Sequence, residues 1–175
     1  MDETSKNIVL VGPMGSGKTT VGRRLAHELN QDFFDTDHEI IDKTGVSIDH
    51  IFDIEGEEGF RERESKILEN LCQMSNIILA TGGGIVILPK NRKILINAGL
   101  VVYLSSSVDQ LLRRTAKSKT RPLLENSADR KKTLTELLEA RDKYYREVAS
   151  VIVDTTGKKL QEVINIIIRE TENVE

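Results

Sequence analysis

One segment of the sequence matches a phosphate-binding pattern in full. Residues 12–19 are Gly-Pro-Met-Gly-Ser-Gly-Lys-Thr, which fits G-x-x-x-x-G-K-[ST]. The glycines let the backbone turn so that successive N–H groups point at phosphate oxygens. Lys18 supplies a positive charge for the β- and γ-phosphates, and the Thr19 hydroxyl is a ligand for Mg²⁺. An apolar run precedes the segment and a helical pattern follows it, so we interpret it as a nucleoside triphosphate site rather than an ordinary glycine turn.

Two carboxylates follow the next short apolar run along the chain. Asp35 and Asp37 are two residues apart after Asp32–Phe34, so their side chains project to one side of an extended backbone. One carboxylate could hold Mg²⁺ through a water molecule, and the other could accept the proton of a substrate hydroxyl. A solvated acidic turn is the alternative, but the position beside the phosphate-binding segment favours a site.

Arginines at helical spacing form two further candidate sites. Arg61 and Glu64 are three residues apart on a predicted helix and are therefore neighbours on one face. Arg141 and Tyr145 share a face of a later helix. A guanidinium there could bind a carboxylate through two parallel hydrogen bonds, which a lysine cannot reproduce. The alternative for these arginines is a surface ion pair of little energetic value.

Two loops could contact a ligand. Gly82–Gly84 follows an apolar run, and glycines there would expose backbone N–H groups and let a ligand approach closely. Ala116–Arg121 is polar and cationic, which suits a mobile lid that closes over phosphates and excludes water. A flexible loop and a solvated connector are the respective alternatives.

Apolar runs alternate with helical patterns along the chain, which is typical of βαβ units with a parallel sheet buried on both faces. Ligands in such folds bind at the carboxyl ends of the strands, where several of the candidate residues lie. The predicted strands are Asn7–Val11, Asp32–Phe34, Ile77–Ala80, Leu100–Leu104 and Val151–Val153. The predicted helices are Gly17–Leu29, His38–Lys43, Ser47–Phe52, Glu57–Gln73, Pro89–Asn97, Val108–Thr115, Ala128–Val148 and Leu160–Arg169.

Length and composition narrow the class of protein. The 175 residues, 38% of them hydrophobic, fit a single domain over residues 1–175. A net charge of −3 argues against a general nucleic-acid binder. The acidic first residues and the polar character of the longest uncharged stretch argue against a signal peptide and a membrane span. The single cysteine, Cys72, is expected to be buried, and without a disulfide the simplest compartment is a reducing cytoplasm.

Taken together and in order, these segments resemble the shikimate kinase family. The resemblance covers about residues 7–170 and rests on Gly12–Thr19, Asp35–Asp37, Gly56–Arg61, Thr81–Gly84, Arg121–Leu124 and Arg141–Arg146. It implies an α/β fold of the nucleoside-monophosphate-kinase-like kind, with three α/β/α layers and a five-stranded parallel sheet of order 2-3-1-4-5. It also implies substrate-binding helices at about residues 37–61 and a mobile lid at about residues 115–125.

The resemblance implies a reaction and residues for the phosphate acceptor. A monomer in the cytoplasm would transfer a phosphoryl group from Mg²⁺-ATP to the 3-hydroxyl of shikimate. Asp37 would bind the ring hydroxyls and act as base for the accepting one. Arg61 and Arg141 would clamp the shikimate carboxylate, and Glu64 would orient Arg61. The residues that would line the substrate are Gly82, Gly83 and Gly84.

For the nucleotide, the resemblance implies contacts along the phosphate-binding segment and beyond it. Asp35 would hold Mg²⁺ through water together with the Thr19 hydroxyl. Arg121 would move in with the lid and reach the transferring phosphate. Arg114 would border the adenine, and Lys158 stands where many relatives carry an arginine with the same task. The remaining contacts would be Gly12, Met14, Gly15, Ser16, Gly17, Lys18 and Thr20.

Two other functions remain as alternatives. A kinase of another small hydroxy acid, such as gluconate, would share the phosphate site, and the paired arginines with Asp37 argue for shikimate instead. A nucleotide-dependent switch protein is the second alternative, but the sequence lacks the guanine-type motif N-K-x-D. Because both expected substrates are anions, the acidic residues should lie on outer faces, as at Glu55–Glu58 and Glu170–Glu175. The cations that should converge on one cleft are Lys18, Arg61, Arg114, Arg121 and Arg141.

Overall fold

The computed structural model describes residues 6–116, 122–125 and 127–174 of the chain. The strands are β1 (Ile8–Val11), β2 (Asp32–Asp35), β3 (Ile77–Ala80), β4 (Leu100–Ser105) and β5 (Val151–Asp154). The helices are α1 (Lys18–Leu29), α2 (Thr36–Thr44), α3 (Ile48–Leu71), α4 (Pro89–Ile96), α5 (Val108–Thr115), α6 (Pro122–Glu125), α7 (Arg130–Val148) and α8 (Leu160–Glu172).

In this part of the chain five strands form one parallel sheet in the order β2-β3-β1-β4-β5. The parallel sheet confirms the prediction from the apolar runs, and the strand order confirms what the family resemblance implied. β1 lies at the centre, with Val9 opposite Leu79 of β3 and Val101 of β4. Because the strands run in the same direction, the segments that follow β1, β2 and β3 meet at one edge of the sheet.

Helices cover both faces of the sheet. Val9 and Val11 pack with buried residues of α2, α3, α4 and α7, whereas Ile8 and Leu10 pack with those of α1 and α8. This alternation follows from the two-residue period of a strand. Each fully buried aliphatic side chain stabilises the fold by about 1.5–3 kcal/mol. Among the described residues no helix is long and apolar enough to cross a membrane.

Capping residues set the ends of the helix that follows β2. The Asp35 carboxylate accepts hydrogen bonds from the backbone N–H groups of Asp37 and His38, so α2 begins earlier than predicted. Gly45, with φ 72°, ends α2 in the left-handed conformation that glycine adopts at low cost. Asp35 is therefore fixed in place by the helix that it caps.

The structure confirms the break that was predicted between Ser47–Phe52 and Glu57–Gln73. The element α3 spans both predicted helices, but Gly56 within it is non-helical, with φ 71°, and forms a kink between two helical parts. Helix α6 was not predicted, and in it Leu124 is buried against Leu111 and Leu134. Four residues are too short for the helical period to be recognised in a sequence.

Cys72 is half-buried, not buried as predicted, because it lies just beyond the last turn of α3. It packs against the apolar residues on one face of the sheet. Burial raises the pKa of its thiol to about 11. The thiol therefore stays protonated near neutral pH and is chemically inert.

Candidate active site

The phosphate-binding segment forms a tight loop between β1 and α1. Gly15 and Gly17 have φ values of 82° and 94°, which residues with a Cβ rarely adopt. The ammonium group of Lys18 donates to the carbonyl oxygens of Gly12 and Pro13 at 2.6 and 2.9 Å. The loop therefore places a largely buried cation beside the amino-terminal end of α1, where anions are favoured.

Oxygen donors from two strands meet beside this loop. The Thr19 hydroxyl donates to Asp35 Oδ2 at 2.7 Å, which joins the start of α1 to the end of β2. Among the described residues no three His, Cys, Asp or Glu side chains form a metal cluster. Mg²⁺ commonly takes one or two protein oxygens and completes its shell with phosphates and water. The Thr19–Asp35 pair fits that donor set.

Two adjoining cavities lie at the carboxyl ends of the strands. The phosphate-loop cavity, of about 430 Å³, is lined by residues 15–21 together with Arg114 and Lys158. The arginine cavity, of about 310 Å³, is lined by Arg61 and Arg141. The two cavities share one wall, so a group transferred between ligands bound in them would pass this wall. The residues that line both cavities are Thr19, Asp35, Asp37, Gly82 and Gly83.

The arginines of the second cavity are buried, and Arg61 is paired with two carboxylates. Arg61 is 8% exposed and Arg141 is 6% exposed. The Arg61 guanidinium binds Glu64 at 2.9 Å and Glu57 at 3.2 Å. Burial alone would lower the pKa of Arg61, but Glu64 and Glu57 outweigh it and raise that pKa. The predicted Arg61–Glu64 pair is confirmed. Glu57 is half-exposed, in agreement with the outer position predicted for Glu55–Glu58, and it also reaches Arg61. The four-residue spacing of Glu57 and Arg61 was the available signal for this second contact.

Glu64 is completely buried and belongs to the lining of the arginine cavity. Burial raises the pKa of Glu64 to about 7, although Arg61 opposes that shift, while Asp37 adds to it and Arg141 also opposes it. Its Oε1 binds Arg61, and its Oε2 has no hydrogen-bond partner among the described residues. Glu64 therefore gains or loses a proton near neutral pH, which sequence spacing could not indicate.

The glycine run after β3 makes room for these charged side chains. A Cβ on Gly82 would lie 2.7 Å from Glu64 Oε2, and one on Gly84 would overlap the guanidinium of Arg61. The N–H of Gly82 donates to Thr36 Oγ1 at 3.0 Å, so the expectation that this group is exposed is wrong. Here glycine permits the close approach of the chain's own side chains as well as that of a ligand.

Tyr145 joins α7 to the same glycine run. Its hydroxyl donates to the carbonyl oxygen of Gly83 at 2.5 Å. Burial raises the pKa of Tyr145 to about 12, although Arg141 opposes that shift, so the hydroxyl remains a proton donor. Both Tyr145 and Arg141 are buried, which confirms that they share a face of the helix. Tyr145 therefore fixes the distance between Gly83 and the helix that carries Arg141.

A buried glutamine organises the far end of the phosphate-loop cavity. Gln110 of α5 donates to Ser106 and to Thr155, and it accepts from the N–H of Gly157. The segment that it holds continues into Lys158, which lines the cavity and donates to the Asp154 carbonyl oxygen at 2.7 Å. One side chain on α5 thus fixes the segment that follows β5.

The structure places most of the predicted nucleotide residues at the phosphate-loop cavity, with exceptions. Arg114 lies at its edge and donates to the Gly15 carbonyl oxygen at 3.2 Å. Met14 lines the arginine cavity instead, and Gly12 lines neither cavity. Arg121, the predicted lid cation, and residues 117–121 of the predicted lid lie outside the described residues. The expected convergence of cations on one cleft is confirmed for Lys18, Arg61, Arg114 and Arg141.

The central position of β1, the phosphate-binding loop that follows it and the adjoining second cavity define a small P-loop kinase. The strand order agrees with this class. The chain belongs to the shikimate kinase family, whose family model matches residues 14–172.

Individual relatives agree with the family model. The chain is 52% identical over 169 residues to a curated shikimate kinase of Thioalkalivibrio sulfidiphilus, covering 97% of this chain and 88% of that protein. The structure of the shikimate kinase of Acinetobacter baumannii in complex with shikimate superposes with a TM-score of 0.95 at 44% identity. That match covers 99% of this chain and 96% of the other. A gluconokinase of Sinorhizobium meliloti shares the fold at 22% identity and a TM-score of 0.61, with 99% and 97% of the two chains covered.

Proposed function

We propose that the protein transfers the γ-phosphoryl group of ATP to the 3-hydroxyl of shikimate, which gives shikimate 3-phosphate and ADP. The observation that carries this proposal is the second cavity with its two buried arginines, Arg61 and Arg141, directly beside the phosphate-binding loop. Two guanidinium groups that line one cavity favour an anionic ligand, and a planar carboxylate matches their geometry. The family membership of the chain supports the same reaction.

ATP would bind with its phosphates in the loop formed by residues 12–19. Backbone N–H groups and the amino-terminal end of α1 would receive the phosphate oxygens. Lys18 would exchange its bonds to the loop carbonyl oxygens for bonds to the phosphates. Arg114 and Lys158 would border the adenine from α5 and from the segment after β5, since both line the phosphate-loop cavity.

Mg²⁺ would be held by the Thr19 hydroxyl and, through water, by Asp35. Their hydrogen bond at 2.7 Å brings two oxygens of the kind that Mg²⁺ prefers to the entrance of the loop. Bound there, the cation would neutralise charge on the β- and γ-phosphates. Asp35 is already oriented by its hydrogen bonds to the start of α2.

Shikimate would bind in the arginine cavity with its carboxylate between Arg61 and Arg141. Phe52 and Phe60, whose ring centroids are 4.9 Å apart, give that cavity an apolar wall that suits the face of a carbon ring. Asp37 lies in the wall common to both cavities and would accept the proton of the attacking hydroxyl. Gly82, Gly83 and Gly84 would line the substrate on the opposite side.

Positioning and charge neutralisation supply most of the catalysis in phosphoryl transfer. Lys18 and, from the lid, Arg121 would stabilise the charge on the transferring group. The role of Arg121 follows from the family resemblance alone. Both cavities are built from residues of one chain, so a monomer is sufficient for this function. The molar mass in solution would test this oligomeric state. The compartment proposed for the reaction is the cytoplasm.

An assay of ADP release with Mg²⁺-ATP tests the proposal against its closest alternative. Three reactions are compared, with shikimate, with gluconate and without an acceptor. We expect turnover with shikimate alone, because an open polyol chain leaves the Phe52–Phe60 wall uncovered. Faster turnover with gluconate would favour a kinase of open-chain hydroxy acids, and equal rates in all three reactions would rule out the proposed acceptor.

A further inference from the structure

Hydrogen bonds to its carbonyl oxygens hold the loop between β3 and α4 in place. The N–H groups of Ile85 and Ile87 donate to the carbonyl oxygens of Gly82 and Gly84, both at 3.1 Å. Tyr145 donates to the carbonyl oxygen of Gly83. These hydrogen bonds therefore fix the part of the loop that lines the arginine cavity.

The rest of the loop is held by side chains at the start of α4. The Asn91 amide donates to the Ile85 carbonyl oxygen at 3.0 Å. The Arg92 guanidinium donates from Nη1 to the carbonyl oxygens of Val86 and Ile87 at 2.8 and 2.9 Å. These bonds satisfy buried carbonyl groups that would otherwise destabilise the fold, because Ile85 and Val86 are fully buried.

Arg92 also reaches the helix that carries Arg141. Its Nε lies 3.2 Å from Glu147 of α7, and its guanidinium carbon lies 4.2 Å from the ring centroid of Tyr144 on the same helix. The Arg92 side chain is only 13% exposed. A single guanidinium thus joins the loop after β3 to α7, which form two sides of the arginine cavity.

We propose that Arg92 is a positioning residue for the acceptor: it holds the loop of Gly82–Gly84 against α7 and so sets the distance between these glycines and Arg141. The inference rests on the proposed function. Arg92 lines neither cavity and would not touch either substrate. A lysine in its place would keep the charge but would lose the planar group that bonds the two carbonyl oxygens through Nη1 while its Nε faces Glu147 and its plane lies over a ring.

The test compares Arg92→Lys with Arg24→Lys. Arg24 is an exposed arginine on α1 with an ion pair to Glu28 at 2.8 Å, and it lines neither cavity. For Arg92→Lys we expect the KM for shikimate to rise about tenfold, as the loss of hydrogen bonds from a charged donor implies, with the KM for ATP unchanged within twofold. Arg24→Lys should leave both constants unchanged. An unaltered KM for shikimate, or an equal rise of both constants, would overturn the inference.

Hydrogen exchange of residues 82–88 gives a readout that does not depend on the acceptor. Their amides should exchange faster in Arg92→Lys than in the wild type, and unchanged exchange would overturn the inference even if shikimate proved not to be the substrate. Absence of shikimate turnover in the wild type would instead contradict the proposed function.

A milder variant covers the case in which Arg92→Lys does not fold. Glu147 is half-exposed, so Glu147→Gln should fold and remove only the ion pair to α7. We expect a two- to threefold rise in the KM for shikimate and none in that for ATP. A KM for shikimate equal to that of the wild type would overturn the part of the inference that assigns the positioning to the Arg92–Glu147 ion pair.

Discussion

The two cavities are built in different ways. The longest continuous part of the phosphate-loop cavity is residues 15–21, and the cation Lys18 is held by carbonyl oxygens of the loop directly before it. The arginine cavity is made mainly of side chains from α2, α3 and α7 and of the glycine backbone of the loop after β3. In it, Arg61, Glu64 and Arg141 are buried charges that depend on one another.

This difference has an energetic consequence. A backbone loop presents N–H groups that need no charged neighbour, so its geometry tolerates changes elsewhere in the chain. Buried charges keep their positions only while each partner stays in place, because an unpaired buried charge is costly. Substitutions around the arginine cavity should therefore act on the acceptor, whereas those around the phosphate loop should act on ATP.

Asp37, in the wall common to both cavities, should give the largest effect. Asp37→Asn removes the proposed base, so kcat should fall by about 10²–10⁴-fold while calorimetry still detects ADP binding. Asp42→Asn, on an exposed position of the same helix, is the matched control and should keep full turnover. Retention of most of kcat in Asp37→Asn would argue against the base role.

Arg61→Lys should separate the two cavities. The lysine keeps a positive charge but loses the two-pronged contact with a carboxylate, so the KM for shikimate should rise about 10–100-fold. The KM for ATP should not change. Arg63→Lys is the control, since Arg63 lies on the same helix in an exposed ion pair with Glu55. An unaltered KM for shikimate would remove Arg61 from the proposed clamp.

Glu64 should make stability depend on pH. Its pKa is raised from 4.5 to about 7 by burial, so the folded state holds a proton that the unfolded state releases. The stability from this group is complete below pH 4.5 and is lost as pH rises through 7. Between pH 5 and 7.5 the wild type should lose about 2 kcal/mol of unfolding free energy through this carboxyl.

Glu64→Gln removes that titration, so its unfolding free energy should fall less over the same interval. Denaturant unfolding at both pH values measures the difference, with Glu62→Gln, an exposed position of α3, as the control. Identical pH dependence in the wild type and in Glu64→Gln would show that the buried carboxyl does not titrate there.

Gln110 should give the smallest effect and act on the nucleotide alone. Gln110→Leu removes the bonds that hold the segment before Lys158, so the KM for ATP should rise about three- to tenfold and the KM for shikimate should stay constant. Gln161→Leu, at an exposed glutamine that bonds Glu28 and Asn165, should change neither. A rise in the KM for shikimate in Gln110→Leu would contradict the prediction that Gln110 acts on the nucleotide alone.

Much of the fold could be predicted because local patterns carry it. The strands appear as short apolar runs, and β3 and α5 have the bounds that the sequence predicted. Helix ends were less predictable: Asp35 starts α2 earlier than its apolar pattern does. Such ends depend on single caps and dihedral angles, to which periodicity is insensitive.

The sequence by itself determined the phosphate loop, because eight consecutive residues hold both the conformational freedom and the charge that phosphate binding needs. Only the tertiary structure decided the rest. It raised the pKa of Glu64 through burial and placed Arg92 between the glycine run and α7. Burial and long-range contact depend on how distant segments pack, and neither is encoded in the spacing of neighbouring residues.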